Sequence, residues 1–161
     1  MAQLKNILVK CTLINVDESK TIKALFNPKE ISIDKQVPWQ KHKSSRSDNP
    51  LMEFTGAKPA SLSVELFFDT YEKAKKNVYE EYVQHLEDLT KVKIGEADED
   101  KRPPLCIFEW GKNFPSFKGV IESLQVKYTM FLPDGTPCRA TASIKMTQAS
   151  RAKPKKRKKK S

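Results

Sequence analysis

The sequence predicts a mainly β fold of the α+β kind, an antiparallel β-barrel or two-sheet sandwich with one packed α-helix. Three observations carry this prediction. Several segments alternate apolar and polar residues with period two, as half-buried strands do. One segment, residues 77–91, repeats apolar residues at helical spacing. Turn-forming residues separate neighbouring alternating segments, which is typical of antiparallel hairpins.

The clearest strand lies at residues 61–68, within the stretch SLSVELFFDTYE. One of its faces is apolar, and we expect that face to be buried. The opposite face is polar except for one large aromatic residue, Phe67. Asp69 ends the strand and begins a turn towards the helix. The apolar face consists of Leu62, Val64, Leu66 and Phe68.

Three further strands are predicted before this one, at residues 5–16, 21–26 and 30–37. The first two form a hairpin across the polar turn that begins at Asp17. Pro28 interrupts the pattern between the second and third strands because proline lacks an amide donor. The inward residues of these strands are Ile7, Val9, Cys11 and Leu13, then Ile22, Ala24 and Phe26, then Ile31, Ile33 and Val37.

Residues 38–60 are predicted to form one long loop, because they are rich in proline and polar residues and show no clear periodicity. Loops of this length inside a compact domain are usually functional or disordered. Trp39, Leu51 and Phe54 are scattered through it, so we expect it to dock onto this domain or onto a neighbour.

The helix is predicted over residues 77–91. Asn77 serves as its N-cap and Glu80 completes a capping box, while Gly95 stops the chain from continuing as helix. The stripe that faces the core consists of Val78, Tyr82, Leu86 and Leu89.

Three strands follow the helix. Residues 102–111 form a short apolar strand, and residues 114–131 and 138–147 form a long hairpin around Asp134-Gly135. In the second strand the apolar face switches between Glu122 and Ser123, which predicts a β-bulge. The small inward residues Ala140 and Ala142 accommodate Tyr128 opposite.

Length and charge divide the 161 residues into one domain, 1–150, and a basic disordered tail, 151–161. The net charge is +10, but the tail holds eight of the thirty Lys and Arg residues and no acid. The remainder carries 22 basic against 20 acidic residues, which is ordinary for a globular domain. The cations of the tail are Arg151, Lys153, Lys155, Lys156, Arg157, Lys158, Lys159 and Lys160.

This tail has two interpretations. It binds nucleic acid or another anionic surface through counterion release, or it is a solubilising tail or linker remnant. It contains no aromatic residue and therefore no stacking platform. We expect a non-specific electrostatic role or none, and no specific nucleic-acid recognition.

No constellation of catalytic, metal-binding or cofactor-binding residues is recognisable, and we predict no enzyme. The three cysteines, Cys11, Cys106 and Cys138, lie far apart in apolar alternating segments, so buried reduced thiols are favoured over disulfides, metal ligands or a Cys–His nucleophile. Glu65 and Asp69 could form an acid–base pair, but a solvated or interface face is favoured. No glycine-rich phosphate loop is present, since the five glycines are spread singly.

No apolar run approaches the length needed to span a bilayer, and the N-terminus lacks the apolar region of a secretory signal. We therefore expect a cytoplasmic protein.

Six motifs, in order, resemble the tube-like domain of contractile injection systems, which are phage-tail-like particles. The resemblance covers roughly residues 5–148 and is strongest to the adaptor or tube-initiator protein of the baseplate. That protein usually carries a LysM domain, for which this chain shows no counterpart, so anchoring through such a domain is not expected. The six motifs are FNPKEI, the Trp39 that follows it, LFFDTYE, the RPP and FEWG block, FKGVIESL and FLPDGTPCRA.

The resemblance implies a non-enzymatic structural subunit. Six copies would form a ring that joins the spike hub to the inner tube, with baseplate components as further partners and without a cofactor or small-molecule substrate. The particle would be released, or associated with a membrane or cell wall. The long hairpin would line the lumen. We expect contacts between subunits or layers at Trp39, Leu51, Phe54 and Phe67. The alternative is a protein that binds nucleic acid or an anionic surface through its basic tail.

Overall fold

The computed structural model describes residues 7–43, 48–72, 76–97 and 101–154. Within these ranges the chain forms nine strands and one helix. The first five strands are β1 (Thr12–Asn15), β2 (Lys20–Lys23), β3 (Ile31–Asp34), β4 (Trp39–His42) and β5 (Leu51–Phe54). They are followed by β6 (Ser61–Asp69), β7 (Cys106–Glu109), β8 (Phe117–Phe131) and β9 (Pro137–Gln148). The helix α1 lies between β6 and β7, with π-helical hydrogen bonding over Tyr79–Val83 and α-helical bonding over Gln84–Asp88.

Seven of the strands form one antiparallel sheet in the order β2-β1-β7-β8-β9-β6-β3. The predicted mainly β class with antiparallel pairing and one packed helix is confirmed. Closure into a barrel is not observed. Strands β2 and β3 lie at the two edges of the sheet, and no ladder of hydrogen bonds pairs them; only the connecting residues link one to the other. The linking residues turn away from the ladder where the Asn27 side chain binds main-chain groups of Val9 and Cys11.

The fold has two sheets, as a sandwich does, but they differ greatly in size. The second sheet contains only β4 and β5, and every residue of both strands is exposed, so it is no buried second layer. These two strands lie within residues 38–60, which were predicted to be a loop. Trp39 pairs with Phe54 across the strands, and Thr55 binds the carbonyl of Pro38 at the base of the hairpin. A cross-strand aromatic pair stabilises a ribbon that is too short to show an alternating pattern.

The core is formed by the inward faces of the sheet, and strands β6 and β9 follow their predicted alternation. All four predicted inward residues of β6 are buried, and on β9 buried residues occupy every second position from Cys138 to Met146. β8 pairs with β9 so that Tyr128 lies opposite the small Ala140, as predicted. The register shifts between Ile121 and Ser123, which confirms the predicted bulge.

The N-terminal strands are shorter than predicted. β1 starts at Thr12, and of its predicted inward residues Cys11 and Leu13 are buried whereas Ile7 and Val9 are exposed. Residues 5 and 6 lie outside the described residues. Phe26, Ile33 and Val37 are exposed as well, so the alternating pattern overestimated how far each strand extends.

The helix covers the inward face of the sheet and is shorter than residues 77–91. The Asn77 side chain accepts a hydrogen bond from the Tyr79 amide, so Asn77 does cap the start. Val78, Leu86 and Leu89 are buried as predicted, but Val83 is buried in place of Tyr82, which is only partly covered. The π-helical turn explains this, because its wider hydrogen bonding brings residues five apart onto one face. The helix ends before Gly95, at Asp88.

Candidate assembly surfaces

The titratable groups considered as catalysts have different surroundings in the structure. Asp69 forms an ion pair with Arg139, with 2.9 Å between carboxylate oxygen and guanidinium nitrogen, and also binds the Tyr71 amide. Glu65 lies exposed on the outer face of β6. His42 pairs with Glu53 on the exposed hairpin, far in sequence from the helical His85. Over the described ranges, no cluster of three or more His, Cys, Asp or Glu could hold a metal ion.

The cysteines are buried free thiols, as predicted. Burial raises the pKa of Cys11 to about 11 and that of Cys106 to about 12. A thiol is nucleophilic only as the thiolate, so these two groups are inert near neutral pH.

The β4–β5 hairpin carries one exposed, mostly apolar face. Trp39 lies opposite Phe54, with ring centroids 5.4 Å apart, and Lys41 lies opposite Met52 two residues further along. Because strand side chains alternate, these four residues share one side of the hairpin, which we call the ribbon face. Trp39 is 53% exposed and Phe54 is 52% exposed. An exposed aromatic pair of this kind is typical of an interaction site.

Leu51 is on the other side of the same hairpin. It lies opposite His42, whose ring nitrogen binds the Glu53 carboxylate on the same side. Leu51 is 70% exposed. The predicted interface residues of the loop are therefore divided between two faces, with only Trp39 and Phe54 in contact.

A second exposed aromatic pair lies at the far end of β6. Phe67 contacts Phe26, with ring centroids 5.7 Å apart. Together they line a groove of about 550 Å³, which we call the Phe67 groove. Buried Pro28 contributes to its lining, and the carboxylates of Glu30 and Glu65 flank the aromatic pair. The remaining lining residues are Asn27, Lys29 and Thr141.

Sequence patterns missed Phe26, Lys41 and Met52 as surface residues. Phe26 was placed on an inward face because it continues the alternation of Ile22 and Ala24. The ladder of β2 ends at Lys23, however, and Phe26 turns outwards to Phe67. The one available signal was Asn27-Pro28, which ends a strand because proline donates no amide hydrogen bond.

The chain segments that carry the ribbon face leave the β3–β6 pair at the end away from the Phe67 groove. Asp34 pairs with Ser61 where the chain leaves for the hairpin and returns from it. Phe67 lies six residues further along β6, which corresponds to roughly 20 Å at the rise of a β-strand. The two aromatic surfaces are thus separate sites on one molecule.

The outer face of the sheet between them is polar. A shallow depression there is lined chiefly by serine, glutamine and charged side chains of β3, β6, β8 and β9. Lys145 on β9 lies 3.9 Å from the carboxylate of Glu122 on β8. Such a face suits contact with water more than contact with a core.

The described part of the tail is short. Arg151 and Lys153 are exposed beyond β9. The other predicted tail cations, at 155–160, lie outside the described residues. Along the described chain, no helix combines the length and apolar character that crossing a membrane requires.

Comparison with known proteins agrees with this architecture. A search of curated proteins found no match. The family model described as contractile injection system tube protein matches residues 7–158, which spans the whole sheet and the helix. The chain therefore belongs to the contractile injection system tube protein family.

Proposed function

We propose that this chain is a non-enzymatic structural subunit that assembles with copies of itself into a hexameric ring. In this role it is the tube initiator, or baseplate adaptor, that joins the spike hub to the first layer of the inner tube of a phage-tail-like particle. The family match over residues 7–158 carries the structural role. The ring and its position in the particle are the further steps of the proposal.

The surface of the chain supports assembly. Two edge strands, β2 and β3, leave one side of their backbone unpaired within the described sheet. Such edges favour pairing with another chain unless they are covered. Exposed aromatic pairs at the ribbon face and the Phe67 groove add apolar area that a subunit interface would bury.

The long β8–β9 hairpin fits the wall of a lumen. Most of its outward positions are hydroxyl, amide and charged side chains, such as Gln125, Lys127 and Ser143, and Phe131 is exposed at the end of β8. A mostly polar inner wall would let hydrated cargo pass, whereas an apolar wall would favour binding.

The assembly role can be tested in cells that make the particle. Deleting the gene for this chain should abolish complete particles in negative-stain micrographs, and the wild-type copy should restore them. The exposed pair Trp39→Ala with Phe54→Ala should also fail to restore them, while Val92→Ala, which alters another exposed apolar side chain, should succeed. Normal particles in the deletion strain would overturn the proposal.

Stoichiometry separates the initiator from an ordinary tube layer. Quantitative mass spectrometry of purified particles should give one ring of this chain for each particle, independent of tube length. A copy number that rises in proportion to the sheath protein would assign the chain to the tube layers instead.

A further inference from the structure

We propose that the ribbon face of one copy docks into the Phe67 groove of the next copy. This inference rests on the proposed self-assembly and names the surfaces that perform it. Each molecule would use both surfaces, one for each neighbour. The occupant of the groove is therefore a second copy of this chain.

The position of the two surfaces supports head-to-tail contact. The hairpin leaves the β3–β6 pair at the Asp34–Ser61 end, and the groove surrounds Phe67 near the other end of β6. A molecule with two different, separated surfaces makes a heterologous interface, which propagates from copy to copy until a ring closes. In a two-fold dimer, by contrast, both surfaces of one molecule would contact the same neighbour.

The chemistry of the two surfaces is complementary. The ribbon face offers Trp39, Phe54 and Met52 with a single cation, Lys41. The groove offers Phe26, Phe67 and Pro28, with the carboxylates of Glu30 and Glu65 at its border. Lys29 also lines the groove, so the local charge is net negative by one.

The charged groups on both sides are available for a partner. Across the residues that the structure describes, Lys41, Glu30 and Glu65 form no ion pair with one another or with other side chains. Opposite charges at the border of an apolar contact set its register and reject wrong partners. The aromatic rings supply the area that docking would remove from water.

A cysteine pair tests the contact inside the particle. The variant with both Met52→Cys and Thr141→Cys places one thiol on the ribbon face and one at the groove. Mild oxidation of purified particles should then yield a ladder of covalent oligomers of this chain, because every copy supplies both thiols. Each single variant is the matched control and should yield no ladder.

Charge reversal tests the chemistry. Lys41→Glu and Glu65→Lys should each lower the yield of complete particles about tenfold, since either places like charges at the border. Combining them should restore the yield to within about threefold of wild type. Both positions are exposed, and an unchanged thermal midpoint will show that the variants fold. Gln40→Glu, on the other side of the hairpin, should leave the yield unchanged.

The outcomes separate this inference from the proposed function. If particles contain the chain but the double-cysteine variant yields no ladder, or the two charge reversals do not compensate, the docking inference is wrong and the structural role stands. If the chain is missing from particles, both the docking inference and the proposed structural role are wrong. A covalent product that stops at the dimer would show a two-fold contact and would also overturn the inference.

Discussion

The ring of Tyr82 stacks on the ring of Phe68, with centroids 4.9 Å apart and 19° between the planes. Phe68 is fully buried at the end of the inward face of β6, and Tyr82 belongs to the π-helical turn of α1. This contact joins the end of β6 to the helix that covers the sheet. It also accounts for Tyr82 remaining partly exposed, because only one side of its ring lies against the core.

The stacking pair predicts a measurable coupling energy. Phe68→Leu and Tyr82→Leu keep apolar volume but remove the ring contact, and a double-mutant cycle should give a coupling of about 0.5–1.5 kcal/mol in urea unfolding. Phe68→Ala should cost about 3–5 kcal/mol because it opens a cavity in the core. The exposed control Val92→Ala should change stability by less than about 0.5 kcal/mol. A coupling energy near zero would show that the contact between the two rings adds nothing to the stability of the fold.

Gly119 is predicted to tolerate no side chain. A Cβ at this position would lie 2.1 Å from the carbonyl oxygen of Thr147 on the paired strand, and backbone cannot move aside easily. Gly119→Ala should therefore cost about 1–3 kcal/mol or more, through strain at the centre of the sheet. Ser123→Ala on the exposed face of the same strand is the matched control and should be nearly neutral. Wild-type stability of Gly119→Ala in urea unfolding would contradict the close approach of β8 and β9.

The Asp17–Arg102 pair predicts a dependence of stability on pH. Both guanidinium nitrogens bind the carboxylate, at 2.9 and 3.1 Å, and the Leu105 amide binds it at 2.8 Å. The hydrogen bonds from Arg102 hold the pKa of Asp17 below its usual range, although burial opposes them. A carboxyl group with a lowered folded pKa stabilises the protein above its unfolded pKa of about 3.9, and this contribution is lost as pH falls through the folded value.

Asp17→Asn should thus lower the free energy of unfolding near pH 7 by about 1 kcal/mol, a modest figure because water partly screens the pair. The gap between wild type and variant should narrow as the pH falls below about 4. The control Asp34→Asn, at an exposed strand end, should leave the free energy of unfolding unchanged both near pH 7 and below about pH 4. If the difference in free energy of unfolding between wild type and Asp17→Asn widened in acid, the inferred direction of the Asp17 pKa shift would be wrong.

The basic tail can be separated from the assembly domain. A chain that lacks residues 151–161 should keep its thermal midpoint and restore particles in the deletion strain, because the sheet and the helix are complete without the tail. It should lose any binding to DNA or heparin, and that of the full chain should fall steeply with salt. Loss of particles without the tail would contradict this separation, and DNA binding that persists without the tail would show that the tail is not the nucleic-acid site.

Alternation along the strands predicted the faces of the sheet well where the strands are long. The inward residues of β6 and β9, the bulge after Ile121 and the Tyr128–Ala140 pairing were all predicted from period and turn residues. It failed at strand ends, as at Ile7 and Phe26, because period two shows which face a residue prefers and says nothing about whether a neighbouring strand is present to pair with.

The sequence likewise predicted some residues of the candidate surfaces but not how they are arranged. Trp39, Leu51, Phe54 and Phe67 were proposed because they are large apolar residues among polar ones. Their arrangement depends on contacts between residues distant in the chain. Phe26 reaches Phe67 only because the chain crosses between the two edges of the sheet, and Lys41 joins Trp39 only because residues 39–54 fold into a hairpin.

The sequence alone therefore determined the class of fold, the inward faces of the long strands and the presence of one covering helix, since burial imposes a period that each segment records locally. Tertiary structure decided that the sheet stays open, that the predicted loop is a ribbon, and that Trp39 pairs with Phe54 and Phe26 with Phe67. These features follow from pairing across many residues of separation, and no local pattern of apolar and polar residues encodes which strands meet.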